Sequence, residues 1–299
     1  MYGLKPVPFT PHNTGRCLCT ERVLQAGSWK ESAGLRHEAA KKLKEFFGGF
    51  ASAAGALLLL DYDGTLAPFR VDRFKARPWV GVRELLNQIQ NQTKTRIAVI
   101  TGRPAGEIAP LLELETPPEV WGLHGVERLY PDGRREIETI APEVEAKLDE
   151  LKAQLRRNAF GGLLEEKPNA AVMHWRGVAA AKAREIERRT RKLFEPAAQM
   201  QGLGLLRFEA GVELRAGRDK GGAVKAILAE TDVEGARKIP AAFLGDDLTD
   251  ELAFAALKER GLSVLVRREW RETEADVWLR PPGELKGFLR EWIAAAAGK

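Results

Sequence analysis

Two aspartates stand at the end of an apolar run: in Leu57-Leu-Leu-Leu-Asp61-Tyr-Asp63-Gly64-Thr65-Leu66 a stretch of leucines gives way to paired carboxylates and a turn. Ligands of open α/β sheets gather at the carboxyl ends of strands, which is where these acids would lie. Two neighbouring acids need a counter-charge. A hard cation with oxygen ligands, Mg²⁺ foremost, keeps both ionised and offsets a bound phosphate. Asp61 is then the candidate nucleophile on phosphorus, giving an aspartyl-phosphate, and Asp63 the group that protonates the leaving oxygen and later activates water. Gly64 permits a tight turn beneath the phosphate. The same string also fits a plain strand end with an Asp-Gly turn, so on its own it leaves both readings open. A calcium-binding loop fits less well, because Leu66 stands where that loop requires glycine.

Three later strings have the same form. Ile97-Ala-Val-Ile-Thr101-Gly102-Arg103-Pro104 runs an apolar strand into a hydroxyl and a glycine, where Thr101 and nearby backbone N–H groups are placed to bond a phosphate oxygen. Gly217-Arg-Asp219-Lys220-Gly-Gly222 opens a helix on a lysine, a point charge suited to phosphate or to an ionised aspartate. In Gly245-Asp246-Asp247-Leu-Thr249-Asp250-Glu251 four acids crowd behind an apolar strand. Such crowding is unfavourable unless a cation sits among them or some of them cap a helix. Asp246 is the better metal ligand; Thr249, Asp250 and Glu251 suit cap chemistry.

Positioning these strings calls for a parallel sheet with crossover helices. Apolar runs at 57–60 and 96–100 read as strands, and the amphipathic stretches at 80–90 and 105–112 read as helices. The rhythm breaks at Pro131-Asp132-Gly133, a hairpin turn between 126–130 and 134–139. A helix at 142–157, strands at 163–167 and 170–175, a helix at 179–194 and strands at 203–208 and 212–215 follow. Crossovers then resume: helix 220–229, strand 241–244, helix 249–258, strand 263–266. The expected fold is α/β, a doubly wound Rossmann-like parallel sheet over 51–139 and 213–299, interrupted by a smaller α+β cap at 140–212. Residues 1–50 form an N-terminal extension whose first 40 or so positions lack a sustained period, with helix expected from 38 to 47.

Composition narrows the function classes. With 299 residues, 44% apolar and 30% charged, the chain supports one large globular domain or a domain carrying an insertion. No apolar run approaches the roughly 18 residues of a membrane span, and residues 1–23 lack a secretory apolar segment, so no membrane partner and a cytoplasmic location are expected. Cys17 and Cys19 have no Cys/His partners at ligand spacing. The net charge of +5 is mild. In the basic stretch 182–192, Glu185 with Arg189 and Glu187 with Arg191 fall at helical spacing and no aromatics interleave, which reads as a solvated helix face and not a nucleic-acid surface. No Gly-x-Gly-x-x-Gly follows a strand, which counts against a dinucleotide fold.

Taken in order, the Asp-x-Asp-Gly-Thr, Thr-Gly-Arg, helix-opening lysine and Gly-Asp-Asp-x-Thr-Asp-Glu strings resemble the motifs of the haloacid dehalogenase superfamily, over about residues 55–270. The resemblance implies catalytic Asp61 and Asp63; phosphate contacts from Thr101, Gly102, Arg103 and Lys220; and Mg²⁺ at Asp61, Asp63 (through its carbonyl), Asp246 and Asp247. Further strings, Gly122-Leu-His124-Gly125-Val-Glu127, Glu166-Lys167, His174-Trp175-Arg176 and Val212-Glu213-Leu-Arg215, are similar to those of trehalose-6-phosphate phosphatases. That similarity implies sugar contacts from Lys167, His174, Arg176 and Glu213, with His124 and Gly125 near the same pocket. Its substrate would be a small sugar phosphate, taken by a monomer or weak dimer. Two positions depart from the family pattern: Ala216 stands where relatives usually carry Pro, and Trp175 where they usually carry Tyr. Phosphatases of sucrose 6-phosphate, glucosyl-3-phosphoglycerate or mannosyl-phosphoglycerate are the alternatives, as is a non-catalytic sugar-phosphate-binding partner of a synthase.

Overall fold

A computed structural model describes residues 29–70, 72–157, 160–208, 211–232 and 238–297. In chain order the strands are β1 (Ala56–Leu60), β2 (Thr95–Ile100), β3 (Glu119–Gly122), β4 (Glu127–Leu129), β5 (Arg135–Ile137), β6 (Leu164–Lys167), β7 (Ala170–His174), β8 (Leu203–Phe208), β9 (Gly211–Ala216), β10 (Ala241–Gly245), β11 (Leu262–Val266) and β12 (Val277–Leu279). The helices are α1 (Trp29–Gly48), α2 (Val82–Gln92), α3 (Ala109–Leu112), α4 (Pro142–Arg156), α5 (Ala180–Ala197), α6 (Lys220–Thr231), α7 (Glu251–Leu257) and α8 (Gly283–Ala297).

Eight strands form one sheet in the order β12-β11-β10-β1-β2-β3-β4-β5. All neighbours are parallel except β3/β4 and β4/β5, so the Pro-Asp-Gly hairpin is an antiparallel margin on a doubly wound core. Helices cover both faces, which is why β1 is leucine on both sides and fully buried. Its neighbours β2 and β10 lie on opposite sides, making β1 the topological switch point, where the crevice at the strand ends opens.

The second sheet has four antiparallel strands, in the order β6-β7-β9-β8. One face packs on α4 and α5 through residues such as Leu148, Leu151, Met173, Ile186, Phe194 and Leu214. Strand β9 stays paired through Ala216, so the chain leaves this sheet at Gly217, past the expected 212. Ala216 holds a reciprocal pair with Asn169: its N–H donates to the Asn169 carbonyl (2.8 Å), and Asn169 Nδ2 donates to the Ala216 carbonyl (3.2 Å). A proline there would remove the first of these bonds.

Several expectations need correction. Strand β3 fell outside the expected elements because it is short and begins on a charge; Glu119 is nonetheless buried, between Trp121 Nε1 (2.6 Å) and the guanidinium of Arg96. Strand β12 and helix α8 were not anticipated. The extension does not stop at 50: Phe46, Phe47 and Phe50 form a ring cluster with Trp292 and Phe288 of α8, centroids 5.0 to 6.5 Å apart, so 42–50 belong to the core. Residues 1–28, read as extension, lie outside the described residues. On α5, Arg189 pairs with Glu185 at 2.6 Å, but Arg191 reaches forward to Glu195 and not back to Glu187. Among the described residues, no helix is long and apolar enough to cross a membrane.

Candidate active site

Asp61 follows β1 directly, and its N–H donates to the Leu244 carbonyl of β10 (2.8 Å), which fixes the backbone at the strand end. Asp246 follows β10 and Lys220 opens α6, capped by the Asp219 side chain on the Gly222 N–H (2.7 Å). Lys220 Nζ donates to Asp61 Oδ1 and Asp250 Oδ1, both at 2.7 Å, and all three groups are buried. Carboxylate oxygens of Asp61, Asp246 and Asp250 lie within 4.8 Å of one another. Burial pushes the Asp61 carboxyl up to about 7 against the pull of Lys220. Burial, with the charges of Asp61, Asp250 and Asp247, holds Asp246 well above the usual carboxylate range. Burial alone would lower the Lys220 ammonium, but Asp250 and Asp61 outweigh it and hold it above its ordinary value. Gly64, at φ +87°, sits against this cluster so closely that a Cβ would fall 2.1 Å from Asp246 Oδ2.

The side chains of Asp63, whose carbonyl is the expected metal ligand, and of Asp247 turn elsewhere. Asp63 is gripped by Arg103, whose Nε donates to Oδ2 (2.6 Å) and whose Nη2 donates to Oδ1. Asp247 caps the following turn, accepting from the Leu248 N–H at 2.7 Å. The acid that closes the cluster is Asp250. Its Oδ2 accepts the Asp246 and Asp247 N–H groups, both at 2.9 Å, so it both caps and supports, as its place at a helix start allows. Arg103, expected on phosphate, spends three donors on Asp63 and on the Arg73 carbonyl (2.7 Å). Thr101 and Gly102 do line the cleft.

Facing this floor is the other side of the four-stranded sheet. Alternation puts Glu165 and Lys167, Val172 and His174, Glu213 and Arg215, and Leu206 and Phe208 on one face, opposite the residues that meet α4 and α5. Register aligns Glu165, Val172, Glu213 and Leu206 in one row across the strands. The two faces enclose a cleft of about 370 Å³. Within it Lys167 Nζ donates to Glu213 Oε2 (3.1 Å), and His174 Nε2 lies 2.7 Å from Glu165 Oε2. Trp175 packs on the helix side, so of the expected His-Trp pair the histidine faces the cleft.

His124 crosses between the layers, its Nε2 4.0 Å from Glu213 Oε1. Burial and the charges of Lys220, Arg215 and Lys167 hold its imidazole well below the usual value, hence neutral near pH 7. Leu123 and His124 have φ of 50° and 62°, a backbone that is costly outside glycine and is typical of functional sites. Gly125 backs onto α6, where a Cβ would meet the Ala223 methyl at 2.8 Å; it does not line the cleft. Neither does Arg176, exposed beyond the end of β7. Residues that sequence reasoning passed over are Glu165, Val172, Leu206 and Phe208, together with Phe69, Arg70 and Arg73 on the loop after the first motif. Glu165 and Val172 share a strand face with the expected Lys167 and His174; Leu206 and Phe208 are placed only by the pairing of β8 with β9, and the loop residues carried no signal.

A doubly wound core with acids at its switch point, lidded by a small α+β layer, is the architecture of haloacid dehalogenase-like hydrolases. The fold matches that of such a hydrolase from B. subtilis, with a TM-score of 0.56 over 78% of this chain and 98% of that one at 18% identity. A crystal form of Aspergillus fumigatus trehalose-6-phosphate phosphatase matches with a TM-score of 0.67 over 85% of this chain and 97% of that one, at 23% identity. Residues 59–295 match the trehalose-phosphatase family, and the chain belongs to that family. A trehalose-phosphate phosphatase of Mycobacterium marinum is 29% identical over 241 residues, 77% of this chain; the chain spans 60% of that relative's length.

The floor of the cleft suits a divalent cation. Asp61 Oδ2 is buried with no hydrogen-bond partner among the described residues, and it lies in an all-oxygen cluster with Asp246. Oxygen-only donors of this kind match a hard cation.

Proposed function

We propose that the chain is a Mg²⁺-dependent phosphatase that hydrolyses trehalose 6-phosphate to trehalose and phosphate, the closing step of trehalose synthesis. The observation that carries this reading is the pairing of a buried Asp61–Lys220–Asp246 floor with a polar sheet face across one cleft. Asp61 Oδ1 is held by Lys220, which leaves Oδ2 as the attacking atom. As its bond to phosphorus forms, the bond from phosphorus to the sugar oxygen breaks, and Asp63 supplies the proton that oxygen needs. Asp63, now a carboxylate, takes a proton from the water that next attacks phosphorus, releasing phosphate and restoring Asp61.

Asp61, Asp246 and the Asp63 carbonyl would hold Mg²⁺, which when bound neutralises charge on the phosphate and keeps the nucleophile ionised. Thr101 and Gly102 would donate to phosphate oxygens, and Lys220 would add a fixed positive charge. On the opposite face Glu213, Lys167, Glu165 and His174 supply the mixture of donors and acceptors that a disaccharide requires. Phosphate release measured on trehalose 6-phosphate, sucrose 6-phosphate, glucosyl-3-phosphoglycerate and mannosyl-phosphoglycerate tests the assignment. Activity on the first, abolished by EDTA and restored by Mg²⁺, is expected. Turnover of another member with none on trehalose 6-phosphate would overturn the substrate and keep the chemistry; binding without turnover would point to a sensor.

A further inference from the structure

We propose that Arg103 is a positioning residue for Asp63 and not a phosphate ligand. The inference rests on the reading of Asp63 as the proton donor and acceptor of the reaction. Arg103 is 8% exposed and lines the cleft beside Asp63. Its Nε and Nη2 form a two-pronged contact with the two Asp63 oxygens, Nη1 donates to the Arg73 carbonyl at 2.7 Å, and the guanidinium packs 5.6 Å from the Tyr62 ring centroid. Tyr62 is anchored in turn by its hydroxyl on the Ala76 carbonyl (2.5 Å). Glu107 Oε2 stands 4.0 Å from Nη1 on the far side. The Nε/Nη2 fork is thus given to Asp63 and one Nη1 N–H to Arg73, three of the five donors of the guanidinium.

The contact fixes the two side-chain torsions that the Asp63 turn leaves open. The backbone from 63 to 67 is already closed by the Gly64 N–H on the Ala67 carbonyl (2.7 Å), so only the carboxylate could swing. A planar guanidinium fork sets both its position and its plane, which an ammonium cannot do. The fork takes two of roughly four lone-pair sites on the carboxylate, leaving the rest for proton transfer at the cleft. Misplacing a reacting group by about 1 Å costs on the order of 10²-fold in rate.

The test pairs two substrates with different leaving groups. A sugar alkoxide needs Asp63's proton as the phosphorus–oxygen bond breaks; nitrophenolate, from p-nitrophenyl phosphate, departs without one. In Arg103→Lys, kcat on the sugar phosphate is expected to fall about 10²-fold with KM near wild type. Single-turnover release of nitrophenolate should fall less than about 5-fold, and inhibition by inorganic phosphate should be unchanged. Arg103→Ala should behave like the lysine variant. Equal losses on both substrates, a phosphate inhibition constant raised tenfold or more, or rescue by lysine would overturn the proposal in favour of a phosphate contact. Thermal unfolding of the lysine variant checks the fold, and phosphate inhibition reads the outcome if the alanine variant fails to fold. An inactive wild type would instead reject the underlying function.

Discussion

At the core end of the cleft Asp61, Thr101 and Asp246 directly follow the parallel strands β1, β2 and β10, whose ends are buried. At the cap end the polar residues alternate with apolar ones inside the strands, and the row Glu165–Val172–Glu213–Leu206 draws one residue from each of the four strands. The first arrangement holds few groups very rigidly, at a point that every phosphate ester must reach. The second presents many interchangeable donors and acceptors on a surface whose far side is pure packing. Chemistry should therefore reside in the floor and discrimination in the lid, and variants in the two regions should differ in kind.

The largest effect is expected from Asp61→Asn. An amide cannot attack phosphorus, so phosphate release should fall at least about 10⁴-fold on every substrate. Folding should survive, because burial already disfavours the charge at this position. Lys220→Ala comes next. It removes the cation shared by Asp61 and Asp250 and should lower kcat about 10²- to 10³-fold irrespective of leaving group. It should also cost about 3–5 kcal/mol of stability in urea unfolding, since two buried carboxylates lose their partner. A loss confined to sugar phosphates would erase the contrast between floor and lid. Glu213→Gln should act in the opposite sense. It is expected to reduce kcat/KM on trehalose 6-phosphate by about 10-fold while leaving p-nitrophenyl phosphate within about 3-fold; equal losses on both would move Glu213 into the floor.

The same contrast explains what could be read before the structure. The floor was legible because a buried parallel strand is a continuous apolar run, and the residue ending it announces itself; Asp61, Thr101 and Asp246 lie where those runs end, and Lys220 opens a helix among glycines. Side-chain direction was not legible. Nothing in Asp-Tyr-Asp or Gly-Asp-Asp says that Asp63 turns to Arg103 and Asp247 to the Leu248 amide, while Asp250 reaches back into the cluster. In the lid, alternation places Glu213 and Lys167 on one face only once the pairing partner of each strand is known. Arg176 fails for that reason: it lies beyond β7, outside the pairing that orients His174. The place of Phe46, Phe47 and Phe50 in the core was obscured because these rings dock on α8, which was not anticipated.

The smallest effect concerns the opposite end of the large sheet, where no chemistry is expected. Asp276, just before β12, accepts from the Ser263 N–H (3.0 Å), the Ser263 hydroxyl (2.7 Å) and Lys42 Nζ (3.0 Å), tying the strand margin to the end of α1. Burial acts to raise its pKa, but those bonds outweigh it and hold the carboxyl below its usual value. A depressed folded pKa contributes stability that is complete above the unfolded value near about 3.9 and fades as pH falls through the folded value. Asp276→Asn should therefore be less stable than the parent by about 1 kcal/mol near pH 7, and the gap should narrow progressively as pH falls below about 4. Urea unfolding across that range measures it. Kinetic constants should not move, because Ser263 and Asp276 sit at the amino ends of β11 and β12, away from the cleft at the carboxyl ends. Parallel acid curves for the two proteins would remove Asp276 from the stability account, and a changed kcat would mean that the two ends of the sheet are coupled.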